Sequence, residues 1–111
     1  FWARMSEDAV NAAATLEGEQ GAVARAEVVI VNRRGLHARA SAKLVAAVAE
    51  MQGAVVTVGK DGQCVDGRSI LDLMMLGAAM GDTITLAVRG EAAAQRLAEL
   101  VALVESGFGE N

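Results

Sequence analysis

The chain has one histidine, His37, in the stretch Gly35-Leu36-His37-Ala38-Arg39-Ala40-Ser41. A neutral imidazole nitrogen is nucleophilic near neutral pH, because an unperturbed histidine titrates at about 6.5. Two residues on, Arg39 offers a planar fork of donors that matches the oxygens of a phosphate. Between Val28 and Lys43 there are four bases (Arg33, Arg34, Arg39, Lys43) and no acid. A hydrolase built on serine or cysteine would need a histidine base elsewhere, and the chain has no second one. These residue types suit attack on a phosphoryl group, its storage as phosphohistidine and its release to another acceptor. The competing reading, a surface histidine without a role, is the commoner fate of a lone histidine near a helix start. The acid-free basic window and the lack of a rival nucleophile–base pair count against it.

That chemistry depends on what positions His37. From Ala38 onward Leu44, Val45, Val48 and Met51 recur at helical spacing and Gly53 ends the element, so His37 stands at a helix mouth. The unpaired N–H groups of Ala38, Arg39 and Ala40 and the positive end of the helix dipole favour an anion there. Upstream, the β-branched run Val28–Val31 predicts a buried strand, followed by a turn at Asn32–Gly35. Downstream come a strand at Ala54–Val58, a turn at Gly59–Gly62 and a strand at Gln63–Asp66. Ser69 and Asp72 have capping-box spacing and open a short helix to about Leu76, with a loop from Gly77 to Asp82. Thr83–Arg89 alternates, with Ile84, Leu86 and Val88 inward. From Glu91 to about Ser106 a helix carries Leu97, Leu100, Val101 and Val104 on one face, with Glu91 in its first turn. The order β-α-β-β-α-β-α predicts an α+β fold, a four-stranded antiparallel sheet with three helices on one face.

At 111 residues, 53% hydrophobic and 22% charged, the chain has the size and composition of a single globular domain. No run approaches the roughly 20 apolar residues that span a bilayer, so no membrane insertion is expected. Residues 1–24 carry one base and four acids and read as a mobile acidic extension, with Met5 a candidate natural start; the folded domain is expected over 25–111. The first residues lack the order of a signal peptide. Cys64 is alone, which rules out a disulfide framework and a four-ligand zinc site and points to a reducing, cytoplasmic setting. No metal or cofactor is expected. The net charge of −4 and the lack of aromatics away from the chain ends argue against nucleic acid as a partner.

The stretch Gly35-Leu36-His37-Ala38-Arg39 after a valine-rich strand resembles the active-site motif of the HPr family, the histidine-containing phosphocarriers of the bacterial phosphoenolpyruvate-dependent phosphotransferase system. A second block, Gly67-Arg68-Ser69-Ile70-Leu71-Asp72-Leu73-Met74-Met75-Leu76-Gly77, is similar to the family's second-helix signature. The likeness runs from about Val28 to Val104. It implies an open-faced β-sandwich and, as a rule, a monomer. It implies that His37 accepts a phosphoryl group on Nδ1 from phosphorylated Enzyme I and passes it to a histidine of an EIIA-type protein, with Arg39 assisting. One departure stands out: the family commonly has proline where this chain has Ala40. Alanine is the best helix former, so the helix is expected to survive.

The same resemblance gives Ser69 a second reading. Physically it is an N-cap; in the family the matching serine is a regulatory target of HPr kinase/phosphorylase, and a helix-capping hydroxyl is compatible with both. Ile70 and Met74, spaced i, i+4, would belong to the surface that docks Enzyme I and EIIA, where methionine suits several partners. Leu73 and Leu76 read as core; for Leu71 and Met75 core and surface are equally open. Arg33 and Arg34 are either a solvated turn or a patch that steers acidic partners. Cys64 reads as a small core or edge residue. Ala40, the Leu73–Leu76 run and the acidic extension lean toward the nitrogen-related branch of the family over the sugar branch. The alternative function is a regulatory docking module of the same fold without phosphotransfer.

Overall fold

A computed structural model describes residues 23–110; residues 1–22 of the expected extension, Met5 among them, and Asn111 lie outside the described residues. The elements are β1 (Val23–Val29), α1 (Ala38–Ala49), β2 (Ala54–Lys60), β3 (Gln63–Asp66), α2 (Ile70–Met75), β4 (Thr83–Gly90) and α3 (Ala93–Glu105), closed by a 3₁₀ turn at Gly107–Gly109. The sheet order is β1-β4-β2-β3 with every neighbouring pair antiparallel. The three helices pack on one face and leave the other open, the expected α+β architecture. Among the described residues no helix is long and apolar enough to cross a membrane.

Burial alternates along each strand because only one face of the sheet is covered. On β4, Ile84, Leu86 and Val88 face the helices, and on β2 Ala54, Val56 and Val58 do. The run Val28–Val31 obeys the same rule and is not buried throughout. Val28 and Ile30 lie in the core, but Val29 and Val31 are 42% and 46% exposed on the open face. The strand itself starts at Val23, five residues earlier than expected, with Ala24 and Ala26 as its inward residues. It ends at Val29, although Ile30 still exchanges backbone hydrogen bonds with Asp82 and Gly81 at 2.9 and 2.8 Å.

Two turns differ from expectation for backbone reasons. The β2–β3 hairpin narrows to Asp61-Gly62, both at positive φ (52° and 84°), so β2 runs on through Lys60. Such a two-residue turn matches the twist of its strands. Helix α3 starts at Ala93, so Glu91 is not in its first turn: its N–H bonds the Gly53 carbonyl at 3.2 Å, and Ala92 turns the chain at φ 52°. The inward face of α3 is as expected, with Leu97, Leu100, Val101 and Val104 buried. Cys64 lies exposed on β3, at the sheet edge.

Candidate functional site

The turn leading into α1 is fixed by backbone hydrogen bonds. Gly35 N–H reaches the Asn32 carbonyl at 3.1 Å, and Leu36 N–H reaches the Ala78 carbonyl at 2.9 Å. Gly35 holds φ 64°, and a Cβ there would stand 2.2 Å from the Ala78 carbonyl oxygen. Only glycine lets this turn lie so close to the loop before β4. Leu36 is buried beneath it, and the Ser41 hydroxyl donates to the Leu36 carbonyl at 3.2 Å.

His37 is the N-cap of α1, with extended backbone (φ −78°, ψ −176°). The Ser41 N–H makes the first bond to the His37 carbonyl, at 2.9 Å. The amides of Ala38, Arg39 and Ala40 therefore stand ahead of the helical ladder, at the positive end of the dipole. His37 Nδ1 faces these amides and accepts the Arg39 N–H at a long 3.4 Å. Ala40 is fully buried and keeps a backbone N–H that proline would lack. The helix forms without the family's usual proline.

The other ring nitrogen meets a residue that the sequence did not single out. His37 Nε2 lies 2.7 Å from Glu110 Oε2. An ionised carboxylate only accepts, so Nε2 carries the proton and Nδ1 keeps its lone pair toward the helix mouth. The hydrogen bond from His37, helped by a smaller one from Asn32, holds the Glu110 carboxyl below its ordinary value of 4.5 against the opposing pull of desolvation. Asn32 Nδ2 donates to Glu110 Oε1 at 3.2 Å and to the Gly35 carbonyl at 2.8 Å.

Glu110 reaches the site because the chain turns back after α3. Gly107, Phe108 and Gly109 all adopt positive φ (68°, 56° and 70°), and the Phe108 side chain is driven into the core, 1% exposed. Lys43, on α1, donates to the Phe108 carbonyl at 2.7 Å and ties the turn to the helix. The signal for this in the sequence was a lone phenylalanine between two glycines just past a helix end.

Arg33, Arg34, Arg39, His37 and Glu110 line one shallow cleft. All three arginines are exposed, and among the described residues no carboxylate pairs with them. The cleft has an imidazole held at Nε2, helix N-terminal amides and exposed guanidinium groups, the parts that a transferring phosphoryl group needs.

Since the Glu110 carboxyl is depressed, the sign of its pH dependence follows. Its contribution to stability is whole above about pH 4.5 and is lost as pH falls through the lowered folded value. Urea unfolding of wild type and Glu110→Gln should show a stability gap that is steady above that pH and closes in more acid solution.

Ser69 caps α2, its hydroxyl accepting the Asp72 N–H at 3.1 Å. The expected reciprocal half of a capping box is replaced: Ser69 N–H bonds the Asp66 carbonyl at 3.1 Å. Ile70 and Met74 are both exposed, as a docking pair would be. Leu73 and Leu76 are core, while Leu71 and Met75 are 66% and 73% exposed, which settles them as surface. Met80, in the loop beside Gly35, adds an exposed apolar side chain that the sequence did not flag.

Comparison with known proteins agrees with this arrangement. The family model described as "PTS HPr component phosphorylation site" matches residues 24–106. Phosphocarrier protein HPr of Pseudomonas aeruginosa is 44% identical over 85 residues, covering 76% of this chain and 93% of its own. Phosphocarrier protein NPr of Shewanella violacea is 39% identical over 84 residues, covering 76% and 91%. The crystal structure of HPr-C-His from Thermoanaerobacter tengcongensis superposes with a TM-score of 0.74 at 33% identity, covering 78% of this chain and 97% of that one. With this match running through the His37 turn and all seven main elements, the chain belongs to the HPr family of phosphotransferase-system phosphocarriers.

Proposed function

We propose that His37 is the phosphoryl acceptor, taking the group on Nδ1 from phosphorylated Enzyme I and passing it to a histidine of an EIIA-type protein. The single observation that carries this reading is the division of labour on the imidazole. Glu110 holds the proton at Nε2, and Nδ1 points its lone pair at the anion-binding end of α1. The Nδ1–phosphorus bond forms as the donor's nitrogen–phosphorus bond breaks, and the donor nitrogen leaves with that electron pair. His37 retains its Nε2 proton and becomes a cationic ring beside an anionic carboxylate. Arg39 and the amides of Ala38, Arg39 and Ala40 receive the phosphoryl oxygens. Arg33 and Arg34 steer acidic partners, and Ile70 and Met74 form the apolar part of the docking surface. The carrier acts in the cytoplasm as a monomer. Ala40, the Leu73–Leu76 run and the NPr relative support the nitrogen-related branch.

The test is intact mass after incubation with phosphoenolpyruvate and a bacterial Enzyme I. Wild type should gain one acid-labile phosphoryl group and His37→Ala none. Wild type that stays unmodified with Enzyme I of both the sugar and the nitrogen-related type would favour the docking-module alternative.

Ser69 is proposed as a regulatory phosphorylation site. Its hydroxyl is half-buried and occupied as a cap, so modification would exchange one capping bond for a phosphate carrying about −1.5 to −2 charges at the same helix end. That charge would repel acidic partner surfaces. Incubation with a purified HPr kinase/phosphorylase should phosphorylate wild type and leave Ser69→Ala untouched; an unmodified wild type would remove this role.

A further inference from the structure

We infer that Asn32 is a positioning residue for phosphoryl transfer, acting on His37 through Glu110; the inference rests on His37 being the phosphoryl acceptor. Asn32 is fully buried at the start of the turn after β1. Its amide nitrogen has two hydrogens, and both are used: one on the Gly35 carbonyl at 2.8 Å, one on Glu110 Oε1 at 3.2 Å. Its Oδ1 is buried, with no hydrogen-bond partner among the described residues. The opposite amide orientation is excluded, because it would set Oδ1 against the Gly35 carbonyl and the Glu110 carboxylate, neither of which can donate. An unpaired buried carbonyl oxygen is a cost that a residue needed only for the turn could avoid. What the asparagine supplies in return is a second donor, aimed at the carboxylate.

That donor divides the work of Glu110 between its two oxygens. Oε1 is held by Asn32 and Oε2 by the histidine. With one oxygen anchored, the carboxylate cannot rotate away from the ring. The ring is then kept in the form that leaves Nδ1 unprotonated, and the cationic phosphohistidine finds its counter-charge already in place. Asn32 touches no reacting atom. The bond to the Gly35 carbonyl fixes Asn32 itself in the turn, so that its second donor stays aimed at Glu110.

The experiment is ¹⁵N NMR of the His37 ring in the full chain, paired with transfer kinetics from phosphorylated Enzyme I. In wild type the two ring nitrogens should be well separated, with Nε2 protonated. In Asn32→Ala they should move toward each other as the tautomers mix, and kcat for transfer should fall about tenfold, the low end of the loss when the outer partner of a metal-bound histidine is removed. Asn32→Asp keeps the volume, removes both donors and sets a carboxyl against Glu110, so it should shift the ring in the same sense and guards against an alanine variant that fails to fold. In a Glu110→Ala background, removing Asn32 should change neither ring shifts nor kcat further. Unchanged ring shifts in folded Asn32 variants, or losses that add fully to those of Glu110→Ala, would overturn the inference while leaving the carrier reading standing. Ring shifts that respond to Asn32 in a chain that no Enzyme I phosphorylates would do the reverse.

Discussion

Arg39→Ala should slow phosphoryl transfer to His37 by about 10²–10³-fold, the loss seen when one donor to a developing anionic charge is removed. The side chain is exposed and among the described residues has no carboxylate partner, so its deletion leaves no buried group unpaired. The Arg39 backbone N–H remains in the variant, as do the amides of Ala38 and Ala40, and these account for the residual rate. Arg39→Lys should recover only part of the loss, because an ammonium is a point charge and cannot fork onto two oxygens. Rapid-quench transfer from phosphorylated Enzyme I measures both variants, and unfolding midpoints equal to wild type would show that the effect is on the reaction. A drop of less than threefold for alanine would mean that the helix end alone neutralises the phosphoryl group.

The second large effect belongs to Phe108→Ala. Truncating a fully buried phenylalanine costs about 3–5 kcal/mol, a large part of the 5–15 kcal/mol that holds a typical domain together. Phe108 also anchors the tail that carries Glu110, so the same substitution should release the carboxylate from His37. The diagnostic contrast is with Glu110→Gln, which touches no apolar packing and should leave most of the stability in place. Urea denaturation separates the two: Phe108→Ala should lower the midpoint steeply with little change in slope, and Glu110→Gln only slightly. If Phe108→Ala cost less than about 1 kcal/mol, the tail would be a loose flap and not an anchor.

The element order was legible because each element carries its own period: 3.6 in α1 and α3, two in β4. The placement of His37 and Arg39 at the mouth of α1 was legible as well, since both residues lie on one short stretch. Where the reading slipped, a local signal was weak or the deciding contact was distant. Ala24 and Ala26 of β1 face the core, but alanine says little about which face is inward, so the sequence marks the strand only from Val28. Val28–Val31 looked buried throughout because valine and isoleucine fit either face of a sheet, and only the open architecture exposes Val29 and Val31. Composition suits Glu91 to a helix's first turn, but the left-handed turn at Ala92 excludes it. Glu110 could not be assigned, because it lies 73 residues from His37 and reaches it only through three successive positive-φ residues. Asn32 read as turn chemistry for the same reason: its second hydrogen bond is made to that distant carboxylate.

The sheet order has a consequence for how the chain is made. β4 lies between β1 and β2, so the first strand to leave the ribosome has no sheet neighbour until Gly90 has been synthesised. The basic turn and α1 emerge early, but they have no completed sheet to pack against. The carboxylate that fixes the histidine's proton is translated later still. A nascent chain stalled before β4 would therefore hold only the β2–β3 hairpin, with Val28 lacking a strand neighbour and His37 lacking its carboxylate partner. The sheet is thus complete only once β4 is made, and the imidazole gains its carboxylate partner only after α3 and the Phe108 turn have followed.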